Sequence, residues 1–354
     1  MTLRFNSSRR AIPRAEEGWT QPVLLLLRLL ILGTALGVIT GTVLKFLAPR
    51  FSGSGGPSLL PLAGAGTAPL RGLGQFEPRQ ENARLSAELA RLAATEKDLK
   101  VGAFVLVLDD GSYAELNPDQ PLPAASSIKT PILLATFEAL DAGKLRLDEP
   151  LTLNKTVVGA GSGWMGGQTL GSRFALHEVA TEMIRVSDNT ATNLLIQRLG
   201  GKTSLNERFL SLGLTGTKIN NWLPDLEGTN TTTARDQARS IALVETGKTL
   251  SGRSRDLFRE TLGTSHTDTL IPSGWLKGLG GGNDEVNAGL LAKGVRVYNK
   301  TGDIGIAYVD SALIELPDGR RAVASFMVKG PFNDPRSTNL IRSLAAASAA
   351  ALKR

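Results

Sequence analysis

Hydrophobic and polar positions divide the chain into three zones. From Val23 to Leu47 nearly every position is apolar; Arg28 and Lys45 lie near the ends, and no charge falls between Leu29 and Leu44. At about 1.5 Å per residue such a helix reaches across a hydrocarbon core of ~30 Å. The two cations lie where they can snorkel to headgroups. The run predicts a membrane anchor over 23–47. A cleaved signal peptide is the rival, but the run is long for one and no small-residue cleavage site follows closely. Gly33, Gly37 and Gly41 recur at the spacing of a helix-packing face, although glycine is common in membrane helices generally. Residues 48–81, rich in Gly, Pro and Ser, predict a flexible linker.

The third zone, 82–354, is patterned as one globular domain. Asn82 to Lys97 has Leu85, Leu89 and Leu92 on one helical face. Val101–Leu108 is a β-rich apolar run, and Asp109-Asp-Gly-Ser112 is a turn leading to a second strand. Ser126 to about Glu260 is helical in period, broken by glycine loops. Strands return at Val295–Lys300, Ala307–Leu316 and, after a Pro317-Asp-Gly turn, Arg321–Lys329. Leu340, Ile341 and Leu344 mark a last helix. Strands at both ends with helices between predict an α/β (α+β) domain: an antiparallel sheet built from both chain ends, flanked by helices, with an inserted all-helical subdomain. The cleft between sheet and subdomain is the natural site.

Composition narrows the chemistry. The chain has 354 residues, no cysteine and two histidines. Disulfides, thiol nucleophiles and thiolate metal sites are excluded. His177 and His266 stand apart, so neither a zinc site nor a Ser-His-Asp triad is expected, and no metal or cofactor is called for. The net charge of +7 includes Arg4, Arg9, Arg10 and Arg14 before the anchor, which favour a cytoplasmic N-terminus of residues 1–22 and a domain outside the membrane. No basic stripe with interleaved aromatics exists, so no nucleic-acid partner is expected.

One charge heads an otherwise apolar segment, Pro123-Ala-Ala-Ser-Ser-Ile-Lys-Thr-Pro-Ile-Leu-Leu134. On a helix Ser126 and Lys129 share a face. A serine at a helix start keeps a backbone N–H for an oxyanion, and a buried lysine loses its proton more easily and becomes a base. Ser-x-x-Lys alone is weak, since an N-cap serine with a solvated lysine gives the same pattern. Here it is followed by Ser187-Asp188-Asn189 and then by Lys300-Thr301-Gly302 at the end of a predicted strand. With the flanking "DAGKLRLDE", "SDNTATNLLIQRLGG" and "TTTARDQA", the chain from Asn82 onward resembles the class A β-lactamase family.

That resemblance implies a β-lactamase/transpeptidase-like fold, a monomeric catalytic domain, and a serine hydrolase with a β-lactam or peptidoglycan-peptide substrate. It implies Ser126 as the acylated nucleophile and Lys129 as its base or proton relay. Ser187 would pass a proton to the departing nitrogen. Asn189 would hold the acyl side-chain amide, and Lys300 and Thr301 the substrate carboxylate. The N–H groups of Ser126 and Asp303 would form the oxyanion hole. Trp164 walls the cleft or simply packs.

Two departures matter. The family's deacylating glutamate is replaced by Leu223 within Asn221-Trp-Leu-Pro-Asp-Leu-Glu227, in a loop that is shorter than usual and has lost the ion pair that closes it. Glu227 is either a substitute base or a surface carboxylate. Asp303 replaces a small or hydroxyl residue, and its charge would repel a substrate carboxylate unless it turns away. Three functions follow: a membrane-anchored β-lactam hydrolase, with slow deacylation if no base exists; a D-alanyl-D-alanine peptidase or penicillin-binding protein; or a non-catalytic sensor of wall fragments.

Overall fold

The computed structural model describes residues 76–282 and 285–353. The expected anchor over 23–47, the N-terminal segment and most of the linker lie outside the described residues. No helix among those described is long and apolar enough to cross a membrane.

The elements, in order, are β1 (Gln80–Glu81), α1 (Ala83–Ala93), β2 (Lys100–Val107), β3 (Ser112–Leu116), β4 (Leu122–Pro123) and a 3₁₀ turn, Ala125–Ile128. Then come α2 (Lys129–Asp141), β5 (Pro150–Thr152), β6 (Arg173–Ala175), α3 (Leu176–Arg185), α4 (Asn189–Arg198), α5 (Gly201–Ser211) and β7 (Thr231–Thr232). Last are α6 (Ala234–Glu245), α7 (Gly252–Gly263), α8 (Ile271–Gly278), α9 (Val286–Ala292), β8 (Arg296–Asp303), β9 (Ala307–Glu315), β10 (Arg321–Lys329) and α10 (Pro335–Leu352).

The main sheet runs β1-β3-β2-β10-β9-β8 and joins the two chain ends through β2 and β10. The expected sheet is antiparallel, and it is so except for the two residues of β1, which pair parallel to β3. Phe76 to Glu81, in the predicted linker, pack on this edge, with Phe76 against Phe104 and the Arg239 guanidinium over the Phe76 ring.

Alternation along β2 explains the layers. Val101, Ala103, Val105 and Val107 face a core shared with α1, α8 and α10. Phe104 and Leu106 face the opposite core with Ala238 and Ile241 of α6. The inserted helices form a third core around α2, from Ile132 to Met183, Leu195, Phe209 and Phe258. In α2 every residue from Lys129 to Phe137 is buried. A helix wrapped on all sides needs no polar face, which is why the segment reads as a continuous apolar run.

Glycine sets one close approach. A Cβ at Gly274 would lie 2.4 Å from the Arg342 carbonyl oxygen, and one at Gly278 2.2 Å from that of Ala346. Side-chain-free positions one turn apart let α8 settle onto α10. We predict that Gly278→Ala lowers stability by about 1–3 kcal/mol, read as a lower urea midpoint with an unchanged slope.

Candidate functional site

Three segments meet at one point. The 3₁₀ turn carries Ser126 and hands the chain to α2 at Lys129. The α3–α4 connection supplies Ser187 and Asn189. Strand β8 supplies Lys300 to Asp303.

Lys129 is fully buried, and its ammonium position is defined by four oxygens. Nζ lies 3.0 Å from Ser126 Oγ, 2.6 Å from the Ser187 carbonyl oxygen, 2.9 Å from Ser187 Oγ and 3.0 Å from Asn189 Oδ1. Two of these, the carbonyl and the amide oxygen, can only accept. A neutral amine gives its two hydrogens to them and keeps a lone pair for a hydroxyl. Burial drives the lysine well below its ordinary value, the nearby Lys300 ammonium adds to this, and Asp188 opposes it. The site therefore stabilises the form of Lys129 that can take a proton from Ser126.

Backbone strain aims these groups. Ser187 has φ 58° and Ala125, beside the nucleophile, φ 47°, a left-handed region that costs a non-glycine residue of order 1–3 kcal/mol. At Ser187 this conformation turns both carbonyl and hydroxyl onto Lys129. Asp188 fixes it: one carboxylate oxygen caps α4 at the Ala191 N–H (2.8 Å), and the other accepts from the Trp164 and Met165 N–H groups (2.7 and 2.9 Å).

Strand β8 closes the other side. A Cβ built at Gly302 would lie 2.9 Å from Ser126 N and 2.8 Å from Ser127 N. Only a glycine brings the strand against the nucleophile's backbone, where the expected oxyanion site lies. Lys300 is buried, with its ammonium 2.7 Å from the Thr301 carbonyl oxygen. Burial lowers it to about 8, held up in part by Asp310. Asp310 is itself fully buried and accepts from Ile271 N–H (2.8 Å) and Asn299 Nδ2 (3.0 Å). Burial raises it to about 7.

Asp303 lies on the strand as expected, but its carboxylate turns away and accepts from the Gly305 N–H at 2.8 Å, capping the β8–β9 turn. Trp164 is 40 % exposed; its indole N–H donates to Glu182 at 2.7 Å and its ring meets Phe174 edge-on. It packs and still presents a surface.

Glu227 is not brought to the cluster: it is exposed and has no hydrogen bond among the described residues. Leu223 is buried. Its N–H donates to Asn193 Oδ1 (2.9 Å) and its carbonyl accepts from Asn193 Nδ2 (2.8 Å). Gly159 fits between it and Asn189, since a Cβ there would lie 2.6 Å from the Leu223 carbonyl oxygen and 3.0 Å from Asn189 Cβ. The loop ends are closed without charge pairing. Asn230 Oδ1 accepts from the Asn220 and Asn221 N–H groups at 2.7 Å each, and Asp225 accepts from Asn230 N–H at 2.6 Å. The sequence marks Asn221 and Asn230 only as loop ends without an ion pair, and Asn193 escaped it. Asn193 had a usable signal, lying one helical turn beyond Asn189.

The comparisons agree with this geometry. The family model described as "Beta-lactamase enzyme family" matches residues 84–352. A β-lactamase of Streptomyces cellulosae is 28% identical over 204 residues, 53% of this chain and 65% of the relative. The carbapenem-hydrolyzing β-lactamase KPC of Klebsiella oxytoca is 25% identical over 264 residues, 72% of this chain and 85% of the relative. Among solved structures PBP-A superposes with a TM-score of 0.72 at 39% identity, covering 78% of this chain and 98% of its own. A leucine-to-glutamate mutant of PBP-A, an acyl-enzyme complex with penicillin G, gives 0.71.

The two lysines predict the pH profile. On the roles expected from the sequence, acylation needs Lys129 neutral, which favours higher pH, and Lys300 charged, which its value of about 8 ends early. Acylation by a carboxylate-bearing substrate should fall about tenfold per pH unit above that point. Stopped-flow rates should show no such limb in Lys300→Ala.

Proposed function

This chain belongs to the class A β-lactamase family of serine hydrolases, and from that premise we propose that it opens β-lactam amide bonds through an acyl-Ser126 intermediate that it releases slowly. The observation that carries the first half is the set of contacts around Lys129 Nζ. Ser126 Oγ attacks the carbonyl carbon while its proton passes to the Lys129 amine. The oxyanion forms beside the N–H groups of Ser126 and Asp303. As the carbon–nitrogen bond breaks, Ser187 Oγ gives its proton to the departing nitrogen and is resupplied from the Lys129 ammonium. Thr301 and the Lys300 ammonium hold the substrate carboxylate, and Asn189 and Trp164 flank the acyl half.

The second half rests on Leu223. Deacylation needs a group to take a proton from water. A leucine has none, and Glu227 stands exposed without a partner. Losing a general base costs roughly 10²–10⁴-fold. A hydrolase with fast acylation and slow release behaves as a penicillin-binding protein. The 39% identity to PBP-A supports a D-alanyl-D-alanine peptide as the natural substrate. Residues 23–47 support a tether that holds the domain on the outer side of the cytoplasmic membrane.

Fluorescent penicillin is expected to label the chain at Ser126 and to leave Ser126→Ala unlabelled. In time-resolved mass spectrometry the adduct should persist equally in the unaltered chain and in Glu227→Gln. Leu223→Glu should shorten its life by up to roughly 10²-fold. Rapid decay in the unaltered chain with persistence in Glu227→Gln would overturn the slow-release reading and make Glu227 the base.

A further inference from the structure

Strand β8 is the outermost strand of the main sheet. Beyond Thr301, its residues Arg296 to Asn299 form one wall of a cavity of about 340 Å³. The α7–α8 connection and α9 form the other walls, including Thr267, Asp268 and Leu291. The cavity shares its inner wall with the candidate site. Thr301 Oγ1 donates to Thr267 Oγ1 at 2.8 Å, and Asn299 Nδ2 donates to the Thr267 carbonyl oxygen at 2.9 Å.

Its charges are ordered along the strand. Asp268 follows Thr267 directly; it is half-buried, and among the described residues its carboxylate has neither hydrogen bond nor ion pair. Arg296 is exposed at the far mouth. Four strand residues lie between it and Thr301, a rise of about 16 Å, and the odd spacing puts the two side chains on opposite faces of the strand. The side wall between them is apolar, with Leu291 57% exposed. Next to the candidate site the cavity thus offers the Asp268 carboxylate, with Leu290 and Leu291 beyond it.

We propose that this cavity is a leaving-group subsite that selects a cationic substituent. The inference rests on the acyl-serine reading. In both a β-lactam and a D-alanyl peptide the carboxylate belongs to the departing half, because it sits on the carbon attached to the departing nitrogen. With that carboxylate at Lys300 and Thr301, a substituent extending past it is directed across the Thr301–Thr267 contact toward the cavity. Asp268 then pairs with a positive charge close to the scissile bond, and the Leu291 wall covers its apolar stem.

The probes are two cephalosporins with the same acyl side chain, one bearing a pyridiniomethyl and the other an acetoxymethyl group at C3. The readout is the second-order rate of Ser126 acylation at low salt. Asp268→Asn should lower the ratio of the cationic to the neutral compound's rate about three- to fivefold, the scale of one half-exposed charge pair. Asp268→Glu should retain the preference, and Arg296→Gln should not reduce it. An unchanged preference in Asp268→Asn, with the neutral compound still acylating, overturns the subsite alone. Absence of any Ser126 adduct with either compound in the unaltered chain overturns the acyl-serine reading and the subsite with it.

Discussion

The site depends on taking one amine out of water. Lys129 begins a helix that is buried on every side, so its ammonium has no solvent to retreat to. An isolated buried cation would be unaffordable, and the fold meets this with oxygens rather than with a carboxylate in direct contact. A salt bridge would have locked the proton on. Four neutral oxygens let it leave. The second lysine, Lys300, is also buried and pushes in the same direction. The left-handed turn at Ser187, the Asp188 clamp and the close approach of Gly302 all serve to keep that amine surrounded.

The loop from Asn221 to Asn230 obeys a different economy. Its ends meet through amide and backbone groups, and Asn193 grips Leu223 by both its N–H and its carbonyl. Where a charged base would need a solvated or paired position, a leucine needs only burial. The loop therefore holds an apolar side chain at Leu223, while its Asp225 carboxylate is engaged by Thr229 and Asn230. On the function proposed above, acylation and deacylation are separable demands on the fold.

The parts of this arrangement that lie within a few residues of one another were legible in the sequence. Ser126 and Lys129 share a helical turn, β2 and β10 show their alternation, and the Lys300-Thr301-Gly302 motif ends a strand. What could not be read was set by contacts between distant segments. Asp303 sits where the motif puts it, but only the β8–β9 turn decides that its carboxylate faces Gly305. Glu227 and Leu223 are four residues apart in one loop, yet Asn193 of another element fixes which is buried. Phe76 reads as linker because its partner, Phe104, lies across the sheet. The parallel pairing of β1 rests on two residues, too few to leave a periodic signal.

The bare backbone at Gly302 has a wider consequence. It joins the last third of the chain to a turn near the start of the domain with no intervening side chain, while Ser187 reaches the same point from the inserted helices. The three segments come together only in the assembled domain. On the acyl-serine reading proposed above, the yield of a covalent label on Ser126 would therefore count completed molecules.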